Sequence, residues 1–306
     1  MTQSDIATKS VQPAYDVSII IPVFNRAAFT LRCLQTLAQN SDGPSYEVII
    51  VDNASTDGTA ALLAGLGGDV TVISNQHNLG FAKACNQGAQ AARSGNLLFL
   101  NNDTEPQAGW LPPLLEVLAR ERRAAVVGAR LIYPHGNRVQ HAGVAFRPNG
   151  APYHIFQGLD AEHPVVNTPE RFQAVTGACL LIRAEAFFAA GMFDEAFVNG
   201  FEDIDLCLKV GRMGWTIHYE PRGKVLHHEG ISPGRKAHDV PNMLLFMERW
   251  AGVVEPDENR HYAKLGLRLS YNDDFTRCTI HHLLDPSRTR TISLDQGGRA
   301  DERPGV

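Results

Sequence analysis

Between residues 17 and 101 short, nearly uninterrupted apolar runs alternate with amphipathic stretches. VSIIIP gives way to a helical pattern, then come YEVIIVD, a second helix, VTVISN, a third helix and NLLFLNND. This alternation predicts βαβ units and therefore a mostly parallel sheet. Strands as uniformly apolar as residues 19–21, 48–51 and 97–100 predict a sheet covered by helices on both faces. Each run stops at a polar or turn-forming cluster, which puts those clusters at the carboxyl edge, where α/β sheets bind ligands.

Beyond Pro106 the regularity fades. Residues 111–120 read as a helix, 124–133 as a strand and 134–168 as a loop-rich insertion. An ordered block follows: VTGACLLIR, a helical AEAFFAAG, the acidic FEDIDLCLKVGRMG, a strand TIHYEP, a short strand over residues 224–226 and the segment VLHHEGISPGR. Residues 242–250 read as helical. The pattern divides into a disordered start (1–14), a nucleotide-binding half (15–106), an acceptor and catalytic half of the same domain (107–252), a carboxyl-terminal extension (253–296) and a disordered tail (297–306). No internal repeat or linker separates independent domains.

Composition narrows the chemistry. The chain has 306 residues, 44% of them apolar, enough for a sizeable core. A net charge of -5 has the wrong sign for a general nucleic-acid binder, so any phosphate site must be local. The five cysteines are scattered and never spaced as CxxC, which fits reduced thiols rather than a disulfide framework or a structural zinc site. No apolar signal core is present at the start, and no apolar run reaches the ~18 residues of a membrane span. A cytoplasmic protein is the expectation.

Four clusters carry candidate chemistry. VDNASTDGT, directly after the second strand, offers Asp52 at the strand end for a base or ribose, with Asp57 and Thr56 suited to capping the next helix. The fourth strand ends in Asn101, Asn102 and Asp103; an oxygen set of this kind suits Mg²⁺ or Mn²⁺, although a polar turn after a strand is also ordinary turn chemistry. Glu202, Asp203 and Asp205 open a helix, where they complement its dipole or face a cleft as a general base. His227 and His228 end a short strand, where one could complete a metal shell. There is no GxGxxG after the first strand and no GxxxxGK with Ser or Thr, which disfavours dinucleotide oxidoreductases and P-loop hydrolases.

In order along the chain, VSIIIPVFNR, VDNASTDGT, NLGFAKACNQG, FLNNDTEP, VTGACLLIR, FEDIDLC and VLHHEG resemble the family 2 glycosyltransferases of GT-A fold, over residues 16–250. The resemblance implies a Rossmann-like, mostly parallel central sheet flanked by helices, with a mixed acceptor-side subregion. It implies that Pro22, Val23 and Asn25 line the nucleotide, that Asp52 meets the base, and that Asn78, Lys83 and Asn86 border the ribose and diphosphate. Asn101, Asn102 and Asp103 would stand for the family's metal-binding motif, with Asp103 the ligand and His227 the second. NND replaces the two carboxylates of many members, so Asn102 would supply a neutral oxygen and donor phosphate would add to the metal's hold. Asp203 would be the base and Glu202 its neighbour.

The implied reaction is one inverting displacement: metal and Lys83 offset charge on the leaving nucleoside diphosphate while Asp203 takes the acceptor proton. The resemblance is nearest to bacterial surface-polysaccharide and rhamnosyltransferase-like enzymes, with a UDP- or dTDP-sugar donor and a saccharide or lipid-linked saccharide acceptor. Lipid-linked acceptors would bring peripheral contact with the inner membrane face. Tyr153, His154 and Phe156 in the insertion could stack on sugar or form a loop minicore. Two other readings remain: a non-catalytic nucleotide-sugar-binding subunit and a sugar nucleotidyltransferase.

Overall fold

A computed structural model describes residues 14–228 and 238–294. The amino-terminal half is the expected βαβ series. Strands β1 (Val17–Val23), β2 (Tyr46–Asp52), β3 (Val70–Ser74) and β4 (Asn96–Leu100) run parallel in the spatial order β3-β2-β1-β4. Helices α1 (Ala27–Asn40), α2 (Thr59–Ala64) and α3 (Phe81–Ala91) connect them. Alternate residues of β1 enter opposite cores: Ile20 packs with α3, while Ile19 and Ile21 pack toward α1 and its neighbours. Gly88 lets α3 lie against β1, since a Cβ there would stand 2.4 Å from Ile20 Cγ2.

Past β4 the sheet becomes mixed. Strand β11 (Cys179–Arg183) runs antiparallel to both β4 and β6 (Ala124–Ile132), and β12 (Thr216–His227) runs parallel to β6. The sequence pattern, with its separate TIHYEP and 224–226 strands, predicted a break that the structure bridges. The 12 residues form one strand whose register shifts between Glu220 and Lys224. Pro221, with no N–H for the ladder, lies in that irregularity. Short β5 (Thr104–Pro106) pairs with the end of β12 and brings the NND turn beside His227.

The insertion is more ordered than its loop-like sequence predicted. Strand β7 (Val139–His141) pairs with β6, and β8 (Val144–Phe146) pairs with β9 (Pro152–His154). Helix α6 (Glu202–Arg212) follows a turn in which Asn199 and Phe201 take left-handed backbone angles (φ 54° and 74°). Helix α7 (Asp239–Trp250) packs on α6, and Trp250 Nε1 donates to buried Asp205 at 3.0 Å. The extension holds α8 (Glu258–Tyr262) and an antiparallel sheet of β13 (Leu267–Tyr271), β14 (Arg277–His282) and β15 (Arg290–Ser293). It shares a core with Phe156 and Phe172. The expected disordered ends, apart from residue 14, and the whole of EGISPGR lie outside the described residues.

Candidate active site

The carboxyl ends of β1, β2 and β4, the start of α6 and the end of β12 enclose a cleft of about 570 Å³. Its walls include Pro22, Val23, Asn25, Asn78, Asn101, Asn102, Asp103, Glu202, Asp203 and His227, ten of the residues singled out in the sequence. They converge because β1 and β4 are hydrogen-bonded neighbours and β12 reaches the NND turn through β5.

At one end, Asn25 accepts the Thr56 N–H at 2.7 Å and donates its own backbone N–H to Ser55 at 2.7 Å. Asp57 braces the two loops, accepting from Ala27 N–H at 3.1 Å and from Thr59 N–H at 2.9 Å. Hydrogen bonding from the Thr59 hydroxyl, joined by these backbone amides, holds its carboxyl down to about 2. Asn53, part of the VDNASTDGT cluster, lines the cleft and ties the two sides together by donating to the Gly80 carbonyl at 3.1 Å.

Three expected contacts stand differently. Asp52 is buried at the end of β2, its Oδ1 accepts the Ser55 N–H at 3.0 Å, and it is not among the residues of the cleft wall. Lys83 does not line the cleft; it is half-exposed, with Nζ 3.9 Å from Glu195. Asn86 is buried, and its amide bonds the Phe193 backbone in both directions, at 2.9 and 3.1 Å. Helical spacing turns these two side chains of α3 away from the cleft, leaving Gly80 and Phe81 at its wall. The insertion aromatics also divide. His154 lines the cleft, whereas Phe156 is core and Tyr153 donates to Glu258 at 2.9 Å.

The acidic turn presents two carboxylates to the cleft. Asp203 Oδ2 accepts the Gly177 N–H at 2.6 Å and Oδ1 accepts the Ile204 N–H at 2.8 Å, which fixes the side chain. Gly177 keeps this approach close: a Cβ there would stand 3.1 Å from Asp203 Cβ, and the acid would have to give way by a few tenths of an ångström. Glu202 is buried and accepts the Gly200 N–H at 2.6 Å. Asp205 serves structure instead, fully buried with Lys209 at 2.6 Å and the Trp250 indole at 3.0 Å.

The histidine pair is separated by strand alternation. His227 turns to the cleft with Nε2 3.2 Å from Asp103 Oδ1, and His228 turns to Glu105 at 2.6 Å, which also holds Arg32 at 2.7 Å. Asp103 and His227 are both buried. A carboxylate oxygen and an imidazole nitrogen facing one another fit a divalent cation. Among the described residues no group of three or more His, Cys, Asp or Glu encloses a metal, so this pair fits an ion whose shell is completed by substrate phosphates. Asn102 is less suited, because its amide nitrogen donates to Thr30 at 2.9 Å and orients the group toward α1.

Sequence reasoning missed Gln140, Thr176, Gly177 and Asn199, all on the cleft wall. Gly177 lay inside the quoted VTGACLLIR, and its position just before an apolar strand was the available signal. Gln140 gave none, since β7 carries no periodicity over its three residues.

Comparison with known proteins gives the context for this geometry. The profile described as Glycosyl transferase family 2 matches residues 18–187, more than half of the chain. An uncharacterized protein of Sinorhizobium fredii, y4gI, is 31% identical over 74% of this chain and 25% of its own length. The O-antigen biosynthesis protein RfbC of Myxococcus xanthus is 32% identical over 74% of this chain and 18% of its own. The chain thus spans a quarter or less of the length of these two relatives. An N-acetylglucosaminyl-diphospho-decaprenol L-rhamnosyltransferase of Mycobacterium tuberculosis is 27% identical over 87% of this chain and 93% of its own. Among solved structures, GalNAc-T7 with UDP, GalNAc and Mn²⁺ aligns with a TM-score of 0.58 and 17% identity, covering 81% of this chain and 50% of that one. The mannosyltransferase PcManGT of Pyrobaculum calidifontis, with GDP-Man and Mn²⁺, gives 0.56 and 17%, covering 83% and 70%. The fold is GT-A.

Proposed function

The chain belongs to glycosyl transferase family 2, and on that premise we propose that it is a glycosyltransferase that inverts the anomeric centre of a nucleoside-diphosphate sugar with help from a divalent cation. The observation that carries this reading is the presence of two acidic groups on the wall of one cleft: Asp103 with His227 on the NND side, and Asp203 on α6. Separate carboxylates at the two ends of a displacement are what the reaction needs, one where negative charge leaves and one where a proton departs.

Pro22, Val23, Asn25 and Asn53 form the nucleoside end of the cleft, and Asn78 its border. Asp103 and His227 would hold Mn²⁺ or Mg²⁺; when bound, such an ion supplies Lewis-acid stabilisation to the leaving diphosphate. Arg26, rather than Lys83, is the long cationic side chain on the cleft wall and the better-placed partner for phosphate. Asp203 takes the proton of the acceptor hydroxyl, with the Gly177 and Ile204 amides keeping its carboxylate in one orientation. His154 and Thr176 flank the acceptor side.

The O-antigen and rhamnosyltransferase relatives support a surface-polysaccharide or glycoconjugate role with a lipid-linked saccharide acceptor, and the donor in this proposal is a UDP- or dTDP-linked sugar. Such an acceptor would place the protein at the inner face of a membrane; no helix among the described residues is long and apolar enough to cross one. The test is to incubate the purified protein with UDP-, dTDP- and GDP-sugars, with and without Mn²⁺ and with a polyprenyl-diphosphate saccharide, and to follow product by NMR. A Mn²⁺-stimulated product of inverted anomeric configuration is expected. Retained configuration, or equal rates in a chelator, would overturn the mechanism. Donor binding without either transfer or hydrolysis would favour a non-catalytic subunit.

A further inference from the structure

Gln140 is 1% exposed, on β7, and clamps His227 at two points. Its amide nitrogen donates to the His227 carbonyl at 3.4 Å, and its Oε1 lies 2.7 Å from His227 Nδ1. A carbonyl oxygen can only accept, so the amide nitrogen must face it, and Oε1 must face the ring. Oε1 can only accept in turn, so Nδ1 must carry the proton. In a neutral ring, Nε2 is then left with its lone pair, 3.2 Å from Asp103 Oδ1 and 3.4 Å from the Asn101 amide nitrogen. Two acceptors thus face one another across the gap where a cation would sit, and the Asn101 N–H can donate to Nε2 when no cation is there.

We infer that Gln140 is a positioning residue that fixes the Nδ1–H tautomer of His227 and so aims the Nε2 lone pair at a divalent cation shared with Asp103. The inference rests on the cation reading of the Asp103 and His227 pair. Nothing in the VQHAG stretch marks Gln140 by sequence; it reaches His227 only because β7 pairs with β6, the strand beside β12. Partners that hold the second nitrogen of a ligating histidine typically contribute 10–100-fold (about this range) in metal affinity.

The experiment uses the full chain with uniformly ¹⁵N-labelled histidine. In the metal-free wild type, recorded at a pH where the ring is neutral, His227 is expected to show a protonated Nδ1 and a bare Nε2, assigned by its loss in His227→Gln. In Gln140→Leu the ring should shift toward the Nε2–H form, and Mn²⁺ affinity measured in the presence of UDP should fall ~10–100-fold, while UDP binding without metal is unchanged. Gln140→Glu, which keeps an acceptor toward Nδ1, should restore the tautomer and much of the affinity even if the leucine variant folds poorly. A neutral Nε2–H tautomer with a bare Nδ1 in the wild type, or unchanged tautomer and Mn²⁺ affinity in folded Gln140→Leu, would overturn the inference. The underlying cation reading has its own controls: if Asp103→Asn and His227→Gln both leave Mn²⁺ affinity unchanged, that reading fails whatever the tautomer shows.

Discussion

Replacing Asp203 by asparagine separates a base from a helix-capping acid, and the structure sets the size of each effect. The wild-type carboxylate accepts two backbone N–H groups, from Gly177 at 2.6 Å and Ile204 at 2.8 Å. An asparagine has one acceptor oxygen, so one of these amides would face an NH₂ group. Hydrogen bonds to charged groups contribute ~1.5–3 kcal/mol, and because this side chain is only partly buried, water recovers some of that. We therefore expect a loss of ~1–2 kcal/mol, or a few degrees in Tm. Loss of a general base should lower transfer by ~10²–10⁴-fold, about 3–5 kcal/mol of barrier. The second effect exceeds the first, and well below Tm a stability loss does not reach the rate constant. Asp203→Asn should thus keep donor affinity within a few-fold while kcat falls at saturating donor. The assay is nucleoside diphosphate release with acceptor present, alongside donor calorimetry and a melting curve. Transfer above roughly a tenth of wild type would refute the base role. So would a rate loss matched by an equal loss of donor affinity.

Asp103→Ala should abolish the Mn²⁺-dependent gain in UDP binding by calorimetry without unfolding the chain, because its backbone carbonyl bond to His228 N–H (3.0 Å) is retained. Gly88→Ala adds ~1 kcal/mol of helix propensity but overpacks α3 on β1, where the new Cβ meets Ile20 at 2.4 Å. Overpacking costs ~1–3 kcal/mol, so a lower urea midpoint is expected and a higher one would contradict the packing. His261, buried on α8, bonds Glu170 at 3.0 Å and lies 3.6 Å from Asp257, with Lys264 also on Glu170 and Arg260 near Asp257. Burial alone would lower its pKa, but Asp257 and Glu170 hold it above the ordinary value of 6.5. A raised imidazole contributes stability that is fully present below the unfolded pKa and is lost as pH rises through the folded one. His261→Gln should accordingly lower Tm more at pH 6 than at pH 9, and a pH-independent loss would count against a charged His261.

The periodic part of the chain determined its own structure. Apolar runs at β1, β2 and β4 specify buried parallel strands wherever they fall, and they force polar residues such as Asn25, Asn53 and Asp103 to the carboxyl edge. The acidic start of α6 was legible for the same reason, since a helix amino terminus favours negative charge whatever its surroundings. Which acid faces the cleft was legible only through the family resemblance, not from periodicity or local chemistry. Asp203 meets Gly177 and Asp205 meets Trp250 only after β11 and α7 are in place. Side-chain direction on α3 likewise overrode motif position, sending Lys83 to Glu195 and Asn86 to Phe193. The division between His227 and His228 needed β5 alongside β12, and the grip of Gln140 needed a three-residue strand too short for any period. Local chemistry and periodicity are properties of neighbouring residues, whereas a pairing such as Gln140 with His227, 87 positions apart, exists only once the sheet has closed around it.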